Sequence, residues 1–247
     1  MFLVFPRNWW KKIAVFFFVG GFILPPGFLY AIKQKPSLEA SHHPEAVLIT
    51  ARNARAGMGA KCSGALIAPR VVLTAAHPVA KFDIWEVTAP YAKDGPVKVM
   101  AKISRVHPDY KSQPLENDIA LLILDEEIDI GAPFPRLHDG KLLPIDTSLQ
   151  LIGRVNNGEI SHNRLMRTTV TLVPFPGNTN IYGGHPRAVE EGDSGGPIFV
   201  AGKEMIIVGI VSGHLGGTRA NIATDLFVPI SRENVDWIRK QVPKGNK

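Results

Sequence analysis

From Glu45 onward glycine and proline cut the chain into short apolar runs, and this punctuation limits what it can fold into. Residues 46–51, 64–68, 70–75, 97–106, 119–124, 149–152, 168–173, 197–200, 205–211 and 222–228 are rich in β-branched side chains and bounded by turn residues. Such runs predict strands, and many short strands without a fixed repeat predict an all-β sandwich or barrel. A hydrophobic content of 45% suffices for a packed core, and 247 residues allow one large domain or two small ones. Residues 131–144, rich in proline and without a strand pattern, read as a linker between two halves. One helix is expected at residues 231–242, where Ser231 can cap and Val235, Ile238 and Val242 share a face.

The first 31 residues are of a different kind. Arg7, Lys11 and Lys12 precede the apolar run 13–24, which resumes after Pro25-Pro26 as far as Ile32. A basic stretch followed by an apolar core is the pattern of an export signal, and the whole run approaches the ~20 residues that span a bilayer. A cleaved signal and a retained anchor through residues 13–32 both fit. In either case the lysines stay in the cytoplasm and the rest lies outside it. The folded part is therefore expected to be secreted or periplasmic, or membrane-anchored and facing away from the cytoplasm. Those three basic residues carry half of the net charge of +6, so no nucleic-acid partner is implied. With one cysteine no intrachain disulfide can form, and stability must come from packing. Residues 32–44 read as a polar lead-in in which His42 and His43 are expected to be solvated. No further His, Cys or acid stands at metal-site spacing from them.

The chemistry centres on Gly192-Asp193-Ser194-Gly195-Gly196-Pro197. A serine hydroxyl is a weak nucleophile that needs a base to take its proton and donors for the oxyanion that forms. Without side chains at Gly192 and Gly195, the backbone can bend the amides of Gly192 and Ser194 toward one point. Alone, the hexapeptide also fits a glycine-rich turn that happens to hold a serine, so partners elsewhere decide. The run Val71-Val72-Leu73-Thr74-Ala75-Ala76-His77 delivers an imidazole at the end of a strand, and Asn117-Asp118 places a carboxylate just ahead of another. A buried Asp there can fix the imidazole tautomer. An α/β-hydrolase is disfavoured, because no serine elbow between a strand and a helix appears and the order is His, Asp, Ser.

These three motifs, in this order, strongly resemble those of the chymotrypsin-like (trypsin-like) serine proteases, over residues 44–242. The resemblance implies a protease domain at 32–247 made of two packed six-stranded β-barrels, about 45–130 and 146–230, with a C-terminal helix at 231–242. It implies an exported serine endopeptidase, monomeric, acting on protein or peptide substrates with no metal or organic cofactor. Ser194 would attack the carbonyl, His77 serve as base and then acid, Asp118 orient His77, and the Gly192 and Ser194 amides form the oxyanion hole. Ala188, six residues before the nucleophile, would floor the specificity pocket beside Val189, with Glu191 at the oxyanion loop. Ser212, Gly213 and His214 would pair with extended substrate.

The sequence departs from the family pattern at several of these positions. The family commonly has Trp where Gly213 stands and Gly where His214 stands, so the cleft is either more open or narrowed at its mouth by His214. Cys62 lacks its usual partner, because Pro78 occupies that position, and is expected to be a buried free thiol. Asp193 matches the carboxylate that in the family pairs with a freshly cut amino terminus. Counting back from Pro44 puts that terminus near Ile32, although the usual Ile-Val-Gly-Gly is absent. A neutral Ala188 floor favours an apolar residue before the scissile bond. Asp225 would reach the pocket only if Phe227 takes the place of the aromatic residue on the family's last strand. The competing reading is a catalytically silent protease fold, tethered to the membrane as a binding module.

Overall fold

Strand alternation decides where each apolar face goes, and here both faces of most strands are covered. The computed structural model describes residues 38–242 except 56, 113–114, 157, 175–181 and 216–223. The N-terminal apolar segment and Ile32 lie outside the described residues. Among those described, no helix is long and apolar enough to cross a membrane.

The first barrel contains β1 (Ala46–Arg52), β2 (Gly59–Ala68), β3 (Val71–Thr74), β4 (Ile84–Ala89), β5 (Val97–Val106) and β6 (Ala120–Leu124). It closes in the order β1-β2-β3-β6-β5-β4, with β4 returning to β1 and every pairing antiparallel. The second contains β7 (Ser148–Gly153), β8 (Met166–Pro174), β9 (Tyr182–His185), β10 (Pro197–Val200), β11 (Lys203–Leu215) and β12 (Thr224–Pro229). It closes as β8-β7-β10-β11-β12-β9, with β9 returning to β8. The fold is thus the two six-stranded antiparallel barrels that the motifs implied.

Successive side chains of a strand point to opposite faces. Val47 and Ile49 of β1 fill the first barrel with Leu66, Val72 and Leu122. Leu48 points the other way and meets Leu73, Leu121, Ile152 and Phe199 in a cluster shared by both barrels. Leu149, Leu151, Val170, Leu172 and Phe227 fill the second barrel. Because both faces are buried, these strands read in sequence as continuous apolar runs.

Besides strands that the apolar runs did not mark, β4 and β9 among them, two features differ from the sequence reading. The linker 131–144 contains a short strand, Arg136–Leu137, which pairs in parallel with Ile206 and Ile207 of β11. His43 is 2% exposed rather than solvated. Its Nδ1 lies 2.8 Å from Glu45 Oε1 and its Nε2 lies 2.9 Å from Gln150 Nε2. Burial without partners would cost the imidazole several kcal/mol, about 2–7 by transfer scales, and these two bonds offset it. Helix α1 (Arg232–Gln241) begins as expected, with the Ser231 side chain accepting from the Asn234 amide at 3.1 Å. Val235 and Ile238 pack into the shared cluster, and Val242 borders it.

Candidate active site

The Asp118 carboxylate sits in a tight turn between β5 and β6. Asn117 takes φ +46°, a left-handed conformation that Asn tolerates, and the Ile119 amide bonds back to the Asn117 carbonyl at 2.7 Å. This presents Asp118, which is fully buried, to the residues that follow β3. Oδ1 accepts the His77 backbone amide at 2.8 Å, and Oδ2 lies 2.8 Å from His77 Nδ1. The Ser212 hydroxyl donates to the same Oδ2 at 2.5 Å. Burial alone would raise this carboxyl, but the bonds from His77 and Ser212 outweigh it and hold it below its ordinary value.

Ser194 stands on the loop between β9 and β10. Its hydroxyl donates to the Ser212 carbonyl at 3.4 Å. His77 and Ser194 line one groove of about 550 Å³, together with Gly192, Glu191, Ile160 and Lys61. Gly195 must be glycine: its φ is +85°, and a Cβ there would overlap Thr74 Oγ1 and the Ser63 carbonyl. The serine loop is therefore pressed against the first barrel, which brings the histidine and serine motifs of separate halves to one groove.

The carboxyl next to the serine is buried in the wall. Asp193 Oδ1 accepts the Val155 amide at 2.9 Å and Oδ2 the Glu190 amide at 3.0 Å. Burial pushes this carboxyl up to about 7 against those bonds.

Phe227 pairs with Val211 on one side and Tyr182 on the other, and Asp225 with His214 and Gly184. The Asp225 carboxylate, fully buried, accepts the Ala188 amide at 2.9 Å and the Val189 amide at 3.0 Å. It lies against the backbone of Ala188 and Val189, and burial pushes it up to about 6. Among the described residues, nothing lies within 4 Å of where a Cβ on Gly213 would point. His214 is exposed beside it.

Cys62 is a free, fully buried thiol that burial pushes up to about 12, far from a reactive thiolate. His107 is buried against Trp237, whereas His162 and His185 are exposed and His138 is half-buried.

Three side chains at this site have no sequence signal of their own. One is the Ser212 hydroxyl, since the motif around it points only to its backbone. Another is Ser63, whose hydroxyl donates to the Gly192 carbonyl at 3.1 Å. The third is Arg154, 1% exposed, just past the apolar end of β7. A lone cation closing an apolar strand is the one hint the chain offers.

The trypsin family model matches residues 38–238. Human granzyme M is 28% identical over 215 residues, covering 72% of this chain and 78% of that protein. An inactive CLIP domain-containing serine protease of Anopheles gambiae is 32% identical over 119 residues, 43% of this chain and 31% of its own length. A solved structure described as HL collagenase shares the fold with a TM-score of 0.68 at 20% identity, covering 83% of this chain and 96% of its own. With the family model spanning both barrels and the whole groove, the chain belongs to the trypsin family of serine proteases.

Proposed function

We propose that the protein is an exported serine endopeptidase that cleaves peptide bonds through an acyl-enzyme on Ser194. The observation that carries this is His77 fixed at both its backbone amide and Nδ1 by buried Asp118, with Ser194 on the same groove. An imidazole whose Nδ1 proton is held by a carboxylate keeps Nε2 free to accept the serine proton. The proton taken from Ser194 passes to the leaving amine, and water then repeats the cycle in reverse roles. The amides of Gly192 and Ser194 bind the oxyanion, each worth about 3–4 kcal/mol in such sites.

The main alternative, a silent binding module, is favoured by Gly213 standing where the family commonly has Trp and by the existence of an inactive relative. Fluorophosphonate labelling separates the two. Covalent labelling confined to Ser194, and lost in Ser194→Ala, is expected. An unlabelled protein that is folded by circular dichroism supports the silent module instead.

Specificity follows from the pocket floor. Ala188 is neutral, but the Asp225 carboxylate against its backbone is an ionisable charge in a low-dielectric wall. A substrate cation about 6 Å away at an effective dielectric near 20 gains roughly 3 kcal/mol from it. Both oxygens already hold amides, so we expect the smaller effect of about tenfold in kcat/KM. A carboxyl titrating near 6 is neutral below that pH and charged above it. The ratio of kcat/KM for a Lys substrate to that for its Leu analogue should therefore rise about fivefold between pH 5 and pH 7, most of the full tenfold effect. Titrations common to both substrates cancel in this ratio. Asp225→Asn should give a flat ratio at the low-pH value, with the apolar side chain preferred. A ratio independent of pH in the parent protein would exclude Asp225 from specificity.

A further inference from the structure

The turn at residues 190–193 must hold the Gly192 amide where an oxyanion will form. Its Asp193 amide bonds to the Glu190 carbonyl at 3.1 Å and Gly192 takes φ +111°, while Glu191 is not among the positive-φ residues. A closing bond with positive φ at the third position only is the signature of a type II turn. The turn is thus already formed, and contacts from both barrels hold it.

From the first barrel, the Ser63 hydroxyl donates to the Gly192 carbonyl at 3.1 Å, and the Ser63 amide donates to the Ser194 carbonyl at 2.9 Å. From below, Arg154 spans the barrels. Its Nη1 donates to the Ile49 and Cys62 carbonyls at 2.9 and 3.1 Å, and its Nε and Nη2 to the Ser161 carbonyl at 3.0 and 2.7 Å. The planar fork makes these bonds in one geometry and fixes the stem. That stem lies against the turn: a Cβ on Gly192 would be 3.3 Å from Arg154 Cγ.

We propose that Ser63 and Arg154 are positioning residues that hold the 190–193 turn in its formed shape from within the fold, so that the chain reacts without a newly cut amino terminus against Asp193. The Asp193 cradle agrees with this. Its oxygens are met by the amides of Val155 and Glu190, and burial pushes the carboxyl up to about 7, so that about half of it is uncharged at neutral pH. Two backbone donors and partial neutralisation lessen the need for a terminal ammonium to balance it. The proposal rests on the endopeptidase reading.

The test uses the full chain in detergent, with Met1 confirmed by N-terminal sequencing. Its comparison is the same chain carrying a cleavage site inserted ahead of Ile32, after cutting. Each is titrated with a fluorophosphonate and assayed on a peptide substrate. The intact chain should label stoichiometrically and at the rate of the cut one. Ser63→Ala in the intact chain should lower kcat about tenfold with KM unchanged, the pattern of a lost transition-state interaction. Arg154→Lys keeps the charge but not the fork, and should do the same even where Arg154→Met fails to fold. An intact chain that is silent while the cut chain labels would overturn the proposal and leave the endopeptidase reading standing. If neither form labels, both fall. An unchanged kcat in Ser63→Ala and Arg154→Lys would show that the turn is held by other means.

Discussion

Ser194→Ala and His77→Ala should each lower kcat/KM on a peptide substrate by about 10⁴- to 10⁶-fold, and the double variant should be no worse than the poorer single one. The reason for non-additivity is mechanical: the hydroxyl is a nucleophile only while the imidazole takes its proton, so removing either removes the same step. The stability cost differs between them. The Ser194 hydroxyl makes a long bond of 3.4 Å to the Ser212 carbonyl, so its loss should leave the thermal midpoint close to that of the parent. His77→Ala also removes the Nδ1 partner of fully buried Asp118, which keeps only Ser212 and the backbone amide of residue 77. That variant should lose about 1–3 kcal/mol but remain folded. Steady-state kinetics with calorimetry on the four proteins checks both statements. Parent-like activity in Ser194→Ala, or losses that simply add, would remove the shared proton-transfer step and with it the proposed chemistry.

How much of this was legible in the sequence depends on whether a residue's role is local. β5 and β10 coincide with their predicted bounds, because an apolar run bounded by turn residues carries its own signal. β9 (Tyr182–His185) does not, since Gly183 and Gly184 have poor strand propensity. They are glycine because a Cβ at residue 184 would stand 2.5 Å from the Phe227 ring and one at 183 would stand 2.7 Å from Thr224. That is a tertiary reason, invisible along the chain. β4 (Ile84–Ala89) escaped for a related cause: its faces are only partly covered, so its alternation is blurred. The same division runs through the site. The three motifs that bring His77, Asp118 and Ser194 to the cleft are local patterns. The register of Asp225, the burial of His43 and the reach of Arg154 across the barrels depend on contacts between residues up to 107 positions apart, as for His43 and Gln150. A polar residue in a lead-in gives no sign that the opposite barrel will cover it.

Asp118→Asn should lower kcat about 10⁴-fold with little change in KM, an effect as large as losing the base itself although the substitution is nearly isosteric. Both carboxylate oxygens are acceptors here: Oδ1 takes the His77 amide, and Oδ2 takes His77 Nδ1–H and the Ser212 hydroxyl. An Asn side chain has one acceptor and one donor end. If its NH₂ replaces Oδ1, it faces a backbone N–H, donor against donor, in a fully buried site. If it replaces Oδ2, it donates to Nδ1, which drives the proton to Nε2, where the imidazole can no longer accept from Ser194. The second orientation costs less in folding, because imidazole and hydroxyl can exchange roles and a backbone amide cannot. The variant should therefore be folded, well able to bind substrate, and trapped in the wrong tautomer. Its stability should also respond differently to acid. The Asp118 carboxyl is held below its ordinary value of about 3.9, so its contribution is present above that pH and is lost as pH falls through the depressed value. The substituted amide does not titrate and has no such limb, so the stability difference between parent and variant should shrink on acidification. Ring-nitrogen chemical shifts of His77 report the tautomer directly. A variant with its proton still on Nδ1 and parent-like kcat would show that Asp118 does not orient the base.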